Sequence, residues 1–213
     1  MFQRKSPNLS LPSEIYNQAL EFLYYVSSPR NPVQRVNKRI RWEKPPAGWK
    51  KLNTDGSSMS CMERAGCGGT IKDEHGSWVA GFTRHIGLTN SFVAELWELR
   101  DGLILCCNMN ISCLIVEIDA KMVVDVLKNS NHINFIISPI LEDCRLLASR
   151  FHQIQFSHCF REANRCADML AKIGAEQEAE FILLSSPPVD LFKVLEDDCN
   201  GVFSNRLCTN AII

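Results

Sequence analysis

The chain lacks several features that would place it quickly. Ten cysteines contain no C-x-x-C pair, which excludes the zinc-ribbon and dithiol-redox classes. No apolar run approaches the roughly 20 residues needed to cross a bilayer, so no membrane association is expected. The opening MFQRKSPNLSLPSEIYNQAL has charges but no continuous apolar stretch of the kind a secretory signal carries. An intracellular chain is expected, with nucleus and cytoplasm unresolved. There is no internal repeat and no low-complexity tract. Neither sign of charge dominates: 23 Lys+Arg stand against 24 Asp+Glu, a net charge of −1. That balance excludes a polybasic protein that holds nucleic acid by bulk charge.

What is present fits a folded chain of 213 residues, with 46% hydrophobic and 22% charged residues. The cysteines fall in apolar runs such as LILCCNM and SCLIVEI, as small buried hydrophobes with reduced thiols do. The charge is uneven. Residues 1–51 hold ten Lys/Arg and three Asp/Glu, residues 52–179 eleven and sixteen, and residues 180–213 two and five. A basic leader thus precedes an acidic core.

Three segments are expected: a leader (1–44) with a helix near 13–26 and a Pro- and Arg-rich linker, a folded domain (45–179), and an acidic tail (180–213) with at most one short helix. WKKLNTDGS reads as a strand, and GCGGTIKD and SWVAGFT as a hairpin turning at Asp73-Glu74-His75-Gly76. Residues 90–108 carry Val93, Trp97, Ile104 and Cys107 at helical spacing. CLIVEI suits a strand buried on both faces. AKMVVDVLKN and PILEDCRLLASR read as helices, QIQFSHCF as a strand and EANRCADMLAKIGAEQEAE as a last helix. The order β-β-β-α-β-α-α-β-α predicts an α/β fold with a mixed sheet, an antiparallel meander followed by parallel strands, flanked by helices.

Four acids fall at telling places. Asp55 ends the first strand, Glu95 lies early in the long helix, Asp119 ends the apolar strand and Asp168 lies early in the last helix. Singly each has an ordinary reading: a turn residue before glycine, a solvated helix start, a helix cap, a surface side chain. Jointly they differ, because carboxyl ends of neighbouring strands are where an open sheet places its crevice. Converging carboxylates without a basic cluster repel one another. Hard divalent cations with oxygen ligands, Mg²⁺ above all, relieve that repulsion.

The segments LNTDGS, AELWELRDGL, VEIDAKMVVDVL and HCFREANRCADMLAK resemble the type 1 ribonuclease H family, and among it the plant domains related to non-LTR retroelements. The match runs from about residue 42 to 175. It implies the ribonuclease H-like fold, a five-stranded mixed sheet with three antiparallel and then two parallel strands. It also implies cleavage of the RNA strand of an RNA–DNA hybrid with two Mg²⁺ ions, Mn²⁺ being able to substitute, by a monomer. Two metals about 4 Å apart stabilise the attacking and leaving oxygens of such a displacement. On this resemblance Asp55 would bridge both metals, Asp168 would complete the site on the attacking side, and Glu95 and Asp119 would hold the metal on the leaving side. His158, ten residues before Asp168, matches the histidine that assists water activation or product release. Ser57, Asn164, Arg161 and Arg165 would face the substrate.

Two departures bear on substrate choice. Ser58-Met59-Ser60-Cys61-Met62-Glu63-Arg64 replaces the stretch whose asparagine reads RNA hydroxyls in related enzymes, and Lys128-Asn129-Ser130-Asn131-His132 replaces a basic handle. The alternative expectation is therefore a domesticated nucleic-acid-binding module with little or no catalysis. A transposase-like or exonuclease-like enzyme of the same fold class fits less well, because the order of the four acids and the His158–Asp168 spacing belong to type 1 ribonuclease H.

Overall fold

The computed structural model describes residues 35–59, 64–87, 91–128 and 138–209. The expected helix at 13–26 and much of the two departing segments lie outside the described residues. Residues 39–206 form one compact unit.

Six strands form its sheet: β2 (Lys50–Met59), β3 (Arg64–Lys72), β4 (Trp78–Gly87), β5 (Cys113–Ile118), β6 (Gln153–His158) and β7 (Phe181–Leu184). They lie in the order β6-β5-β2-β3-β4-β7. The meander β2-β3-β4 is antiparallel, while β5 and β6 run parallel to β2. This is the ribonuclease H-like arrangement, with one correction to the strand count. The FILL segment of the expected tail adds a sixth strand, antiparallel along β4. A second correction concerns RVNKRI, expected as linker. It forms β1 (Arg35–Ile40), paired with β8 (Ser204–Thr209) in a separate two-stranded ribbon. Alternation of a short polar strand at a sheet edge carries too weak a hydrophobic signal to mark it.

Five helices are described: α1 (Ser91–Asn108), α2 (Lys121–Lys128), α3 (Ser138–Ala148), α4 (Arg165–Glu176) and α5 (Phe192–Cys199). Helix α1 covers one face of the sheet and α4 the other. Glycines permit both approaches. A Cβ at Gly102 of α1 would stand 2.8 Å from the Leu52 side chain, and one at Gly68 of β3 would stand 2.5 Å from the Ala171 backbone nitrogen of α4. Between α1 and the sheet lies the core, built from Leu52, Phe82, Leu96, Leu99, Leu103, Leu114 and Ile118, all fully buried. Each such side chain contributes roughly 1.5–3 kcal/mol by leaving water.

The buried side of α1 differs from the stripe read in the sequence. Trp97 is exposed, and Val93, Ile104 and Cys107 are only half-buried, whereas Leu96, Leu99, Leu103 and Cys106 are enclosed. The sheet-facing side also carries Glu95 and Glu98, and these two acids disguise it in the hydrophobic pattern. Strand β5 likewise is fully buried at Leu114, Val116 and Ile118 and half-buried at Cys113, Ile115 and Glu117. No described helix is long and apolar enough to cross a membrane. The described cysteines are free, and six of them are buried.

Candidate active site

Register alone aligns the acids at one sheet end. Thr54 of β2 lies beside Ile118 of β5, and Ile118 lies beside His158 of β6. The next residue on each of the first two strands is an acid, so Asp55 and Asp119 stand abreast where the parallel pairing of β2 and β5 stops; Asp55 does not end its strand as expected, because β2 runs on to Met59 paired with β3 alone. Gly56, beside Asp55, admits α1 from the other side. A Cβ there would meet the Glu98 carboxylate at 3.3 Å, Ala94 at 3.4 Å and the Glu95 backbone at 3.5 Å. Glu95 is brought to the strand end by this approach. Carboxylate oxygens of Asp55, Glu95 and Asp119 lie within 4.8 Å of one another.

The cost of this convergence is visible in proton affinity. Burial first, then the charges of Asp119, Glu95 and Asp168, push the Asp55 carboxyl up to about 9, against the pull of Arg161. Burial and Asp119 push Glu95 up to about 8. Asp119 is raised by burial, while Arg161, a hydrogen bond with Asp55 and His158 moderate it. Glu95 keeps one buried carboxylate oxygen without a hydrogen-bond partner. Buried, mutually repelling, under-satisfied oxygens are the donor set a hard divalent cation requires, so the residues fit such an ion.

The fourth acid stands apart from this trio. Asp168, in the first turn of α4, accepts hydrogen bonds from Arg161 at 2.5 Å and Lys172 at 2.6 Å. Burial opposes its ionisation, but these two cations hold its carboxyl below the usual aspartate range. Its charge still reaches Asp55 and Asp119. His158 is exposed at the end of β6, its ring edge-on to Phe160 at 5.5 Å.

The remaining expected contacts divide. Arg161 is exposed beside the acids. Ser57 follows Gly56 on β2, half-buried. Asn164 is buried, donating to the Thr54 carbonyl at 2.8 Å and accepting from Asn53 at 3.2 Å. It therefore ties the start of α4 to the strand that carries Asp55. Arg165 points away, toward Asp197 at 3.2 Å and Asp198 at 3.7 Å of α5.

Two buried groups escaped the sequence reading. Asn53 accepts a hydrogen bond from Trp42 at 2.8 Å and donates to Glu117 and Asn164. Glu98 is wholly buried one turn beyond Glu95, and burial together with Glu95 raises its carboxyl well above the usual range. Its signal in the sequence is the three-residue spacing from Glu95, which puts both acids on one helix face.

Residues 53–174 match the family model described as reverse transcriptase-like. The chain belongs to the reverse transcriptase-like family. The match takes in Asp55, Glu95, Asp119, His158 and Asp168. An Arabidopsis thaliana protein named as a candidate ribonuclease H is 30% identical over 167 residues, which is 78% of this chain and 27% of that protein. The chain thus spans about a quarter of that relative's length. Among solved structures, the N-terminal RNase H domain of a Mycobacterium tuberculosis protein is 25% identical, with a TM-score of 0.57, covering 60% of this chain and 94% of that one. LC11-RNase H1, solved in complex with an RNA/DNA hybrid, has a TM-score of 0.55 and 21% identity over 60% of this chain and 96% of its own. This reverse transcriptase-like chain shares their fold.

Proposed function

We propose that the chain is a metal-dependent endonuclease that cuts the RNA strand of RNA–DNA hybrids. The observation that carries this reading is the convergence of Asp55, Glu95 and Asp119 within 4.8 Å, beside the point where the parallel pairing of β2 and β5 stops. The names of the relatives and the hybrid bound by LC11-RNase H1 agree with it.

Asp55, Glu95 and Asp119, with Asp168 beside them, would hold Mg²⁺, two ions in this reading, with Mn²⁺ as a substitute. When bound, the metal supplies Lewis-acid charge for the attacking and leaving oxygens of an in-line displacement at phosphorus. The chain's own groups do the rest. Asp55 is fixed within β2 and Asp119 just past the end of β5, so they need little reorganisation to serve as ligands. His158 can take or release a proton at an imidazole nitrogen from an exposed position. Arg161 and Ser57 face the substrate. Asn164 acts as a positioning residue, since its amide holds the start of α4 to Thr54.

Purified protein should cut a labelled RNA–DNA hybrid with Mg²⁺ and leave an RNA–RNA duplex intact. Asp119→Asn should reduce cleavage by about a hundredfold or more while far-UV circular dichroism stays unchanged. One observation favours a second reading, a binding module of weak or absent catalysis: Asp168 is engaged by Arg161 and Lys172 rather than drawn into the trio. Hybrid binding with no Mg²⁺- or Mn²⁺-dependent cutting would select that reading.

A further inference from the structure

We infer that Arg39, Arg41 and Phe203, with Arg206 beyond them, form a binding surface for the sugar-phosphate backbone of the nucleic-acid substrate, away from the cleavage centre. The inference rests on the proposed nuclease reading and extends it to how substrate is gripped. The guanidinium of Arg39 lies 4.1 Å over the Phe203 ring and that of Arg41 lies 4.7 Å over the same ring. Phe203 is 40% exposed. Two like charges share one exposed aromatic ring.

Such an arrangement does not stabilise the fold by charge, since the two guanidinium groups repel each other. Arg41 is met by Glu43 at 2.8 Å, and among the described residues no ion pair engages Arg39. The ring instead holds guanidinium planes in a set orientation, as cation–π contact does, and leaves their edges to a further acceptor. Planar guanidinium forks suit phosphate oxygens.

Continuity with the site gives the direction of the track. From Phe203 the chain passes into β8, where Arg206 donates to both Glu162 oxygens at 3.0 and 2.8 Å. The Arg206 guanidinium also lies 4.8 Å over Phe160, whose ring abuts His158. The first arm of β8 thus meets the loop between β6 and α4 that carries His158, Phe160 and Arg161. A centre built from acids repels the polyanion it must accept, and a flanking arginine surface offsets that repulsion by contacts that ignore base sequence.

The test is fluorescence anisotropy with the full chain and a labelled RNA–DNA hybrid in metal-free buffer, from 50 to 300 mM KCl. Arg39→Gln breaks no ion pair and should raise Kd about five- to tenfold at 100 mM salt, flattening the slope of log K against log salt by about 0.7–0.9. Arg39→Gln with Arg41→Gln should roughly double that flattening. Glu43→Gln releases Arg41 and should tighten binding with a steeper slope. A purely structural role would shift thermal stability and leave the slope alone. An unchanged Kd and slope in both arginine variants overturns the inference. So does a loss confined to a polyglutamate probe, which would assign the surface to an acidic protein. Absence of cleavage with the slope change intact removes the nuclease reading and keeps the surface; cleavage with an unchanged slope does the reverse.

Discussion

Asp55 is an aspartate whose surroundings work against its charge. Burial, then Asp119, Glu95 and Asp168, raise its carboxyl to about 9, and Glu95 rises to about 8 for similar reasons. Both shifts are upward from an unfolded carboxyl range near 4, so the folded state binds more protons than the unfolded one between those limits. Metal-free stability should therefore be greatest at the acid side of this window, fall as pH rises from about 4 toward 9, and level off once both groups ionise in the fold. Asp168 has the opposite sign: its contribution is present above the unfolded value and lost only as pH falls below it. Urea midpoints measured in chelator from pH 5 to 8.5 should decline, and a flat or rising profile would contradict the arrangement. Asp55→Asn removes a charge that the metal-free fold accommodates at a cost. At pH 8 without metal it should raise stability by about 1–2 kcal/mol, or Tm by roughly 2–8 °C, while hybrid cleavage is lost. Gain of stability with loss of activity is the signature of a site built for a cation rather than for the fold.

Helix α1 shows where pattern reading succeeds and where it stops. Its existence and length follow from helical spacing, but its buried side does not. The Val93, Trp97 and Ile104 stripe is the more apolar one, yet Glu95 and Glu98 lie on the enclosed side. Hydrophobic periodicity assumes that burial follows polarity, and a site that buries acids breaks that assumption. The α4 contact depends on small residues instead. A Cβ at Gly68 would stand 2.5 Å from the Ala171 nitrogen, and one at Gly174 would stand 2.7 Å from the Cys67 carbonyl. Backbone on both sides cannot yield as a flexible side chain can. Gly68→Ala should therefore destabilise the protein by about 3 kcal/mol or more, and should weaken cleavage by shifting Asn164 and Asp168 with α4. Differential scanning calorimetry and the hybrid assay read the two effects separately.

In the 39–206 unit, the C-terminal segment is part of the fold. Lys72 of β3 is buried, pairs with Asp198 of α5 at 2.6 Å, and lies 3.8 Å over Trp42. Leu191 and Leu195 pack on Cys166 and Leu170 of α4. Lys72→Met would leave the buried Asp198 carboxylate with Arg165 at 3.7 Å and the weak Cys166 thiol donor at 3.5 Å, a loss of roughly 3 kcal/mol, whereas Lys72→Met with Asp198→Leu should recover most of it. Chemical denaturation of the single and double variants checks this. Mg²⁺ must displace protons from Asp55 and Glu95, whose carboxyls are raised to about 9 and about 8, so at a fixed concentration it should bind more tightly and raise Tm more at pH 8 than at pH 6. Equal shifts at both values would point to an ion held elsewhere.

The sequence by itself determined the order of most strands and helices, the placing of Asp55 on the first strand and of Asp119 at the end of the fourth in the order it predicted (β2 and β5), and the family, because these follow from local periodicity and from motifs short enough to read along the chain. The register that stops the parallel pairing at Thr54 and so sets Asp55 abreast of Asp119 belongs to the tertiary structure, since it joins strands distant in sequence. Only the tertiary structure decided which side of α1 is buried, that Asn164 serves the Thr54 carbonyl, that Arg165 turns to α5, and that Asp168 is held by Arg161 and Lys172. The same is true of the sixth strand and the ribbon of β1 and β8. Each of these depends on pairing between residues distant in sequence, where burial and partner charge override the preference of any single residue.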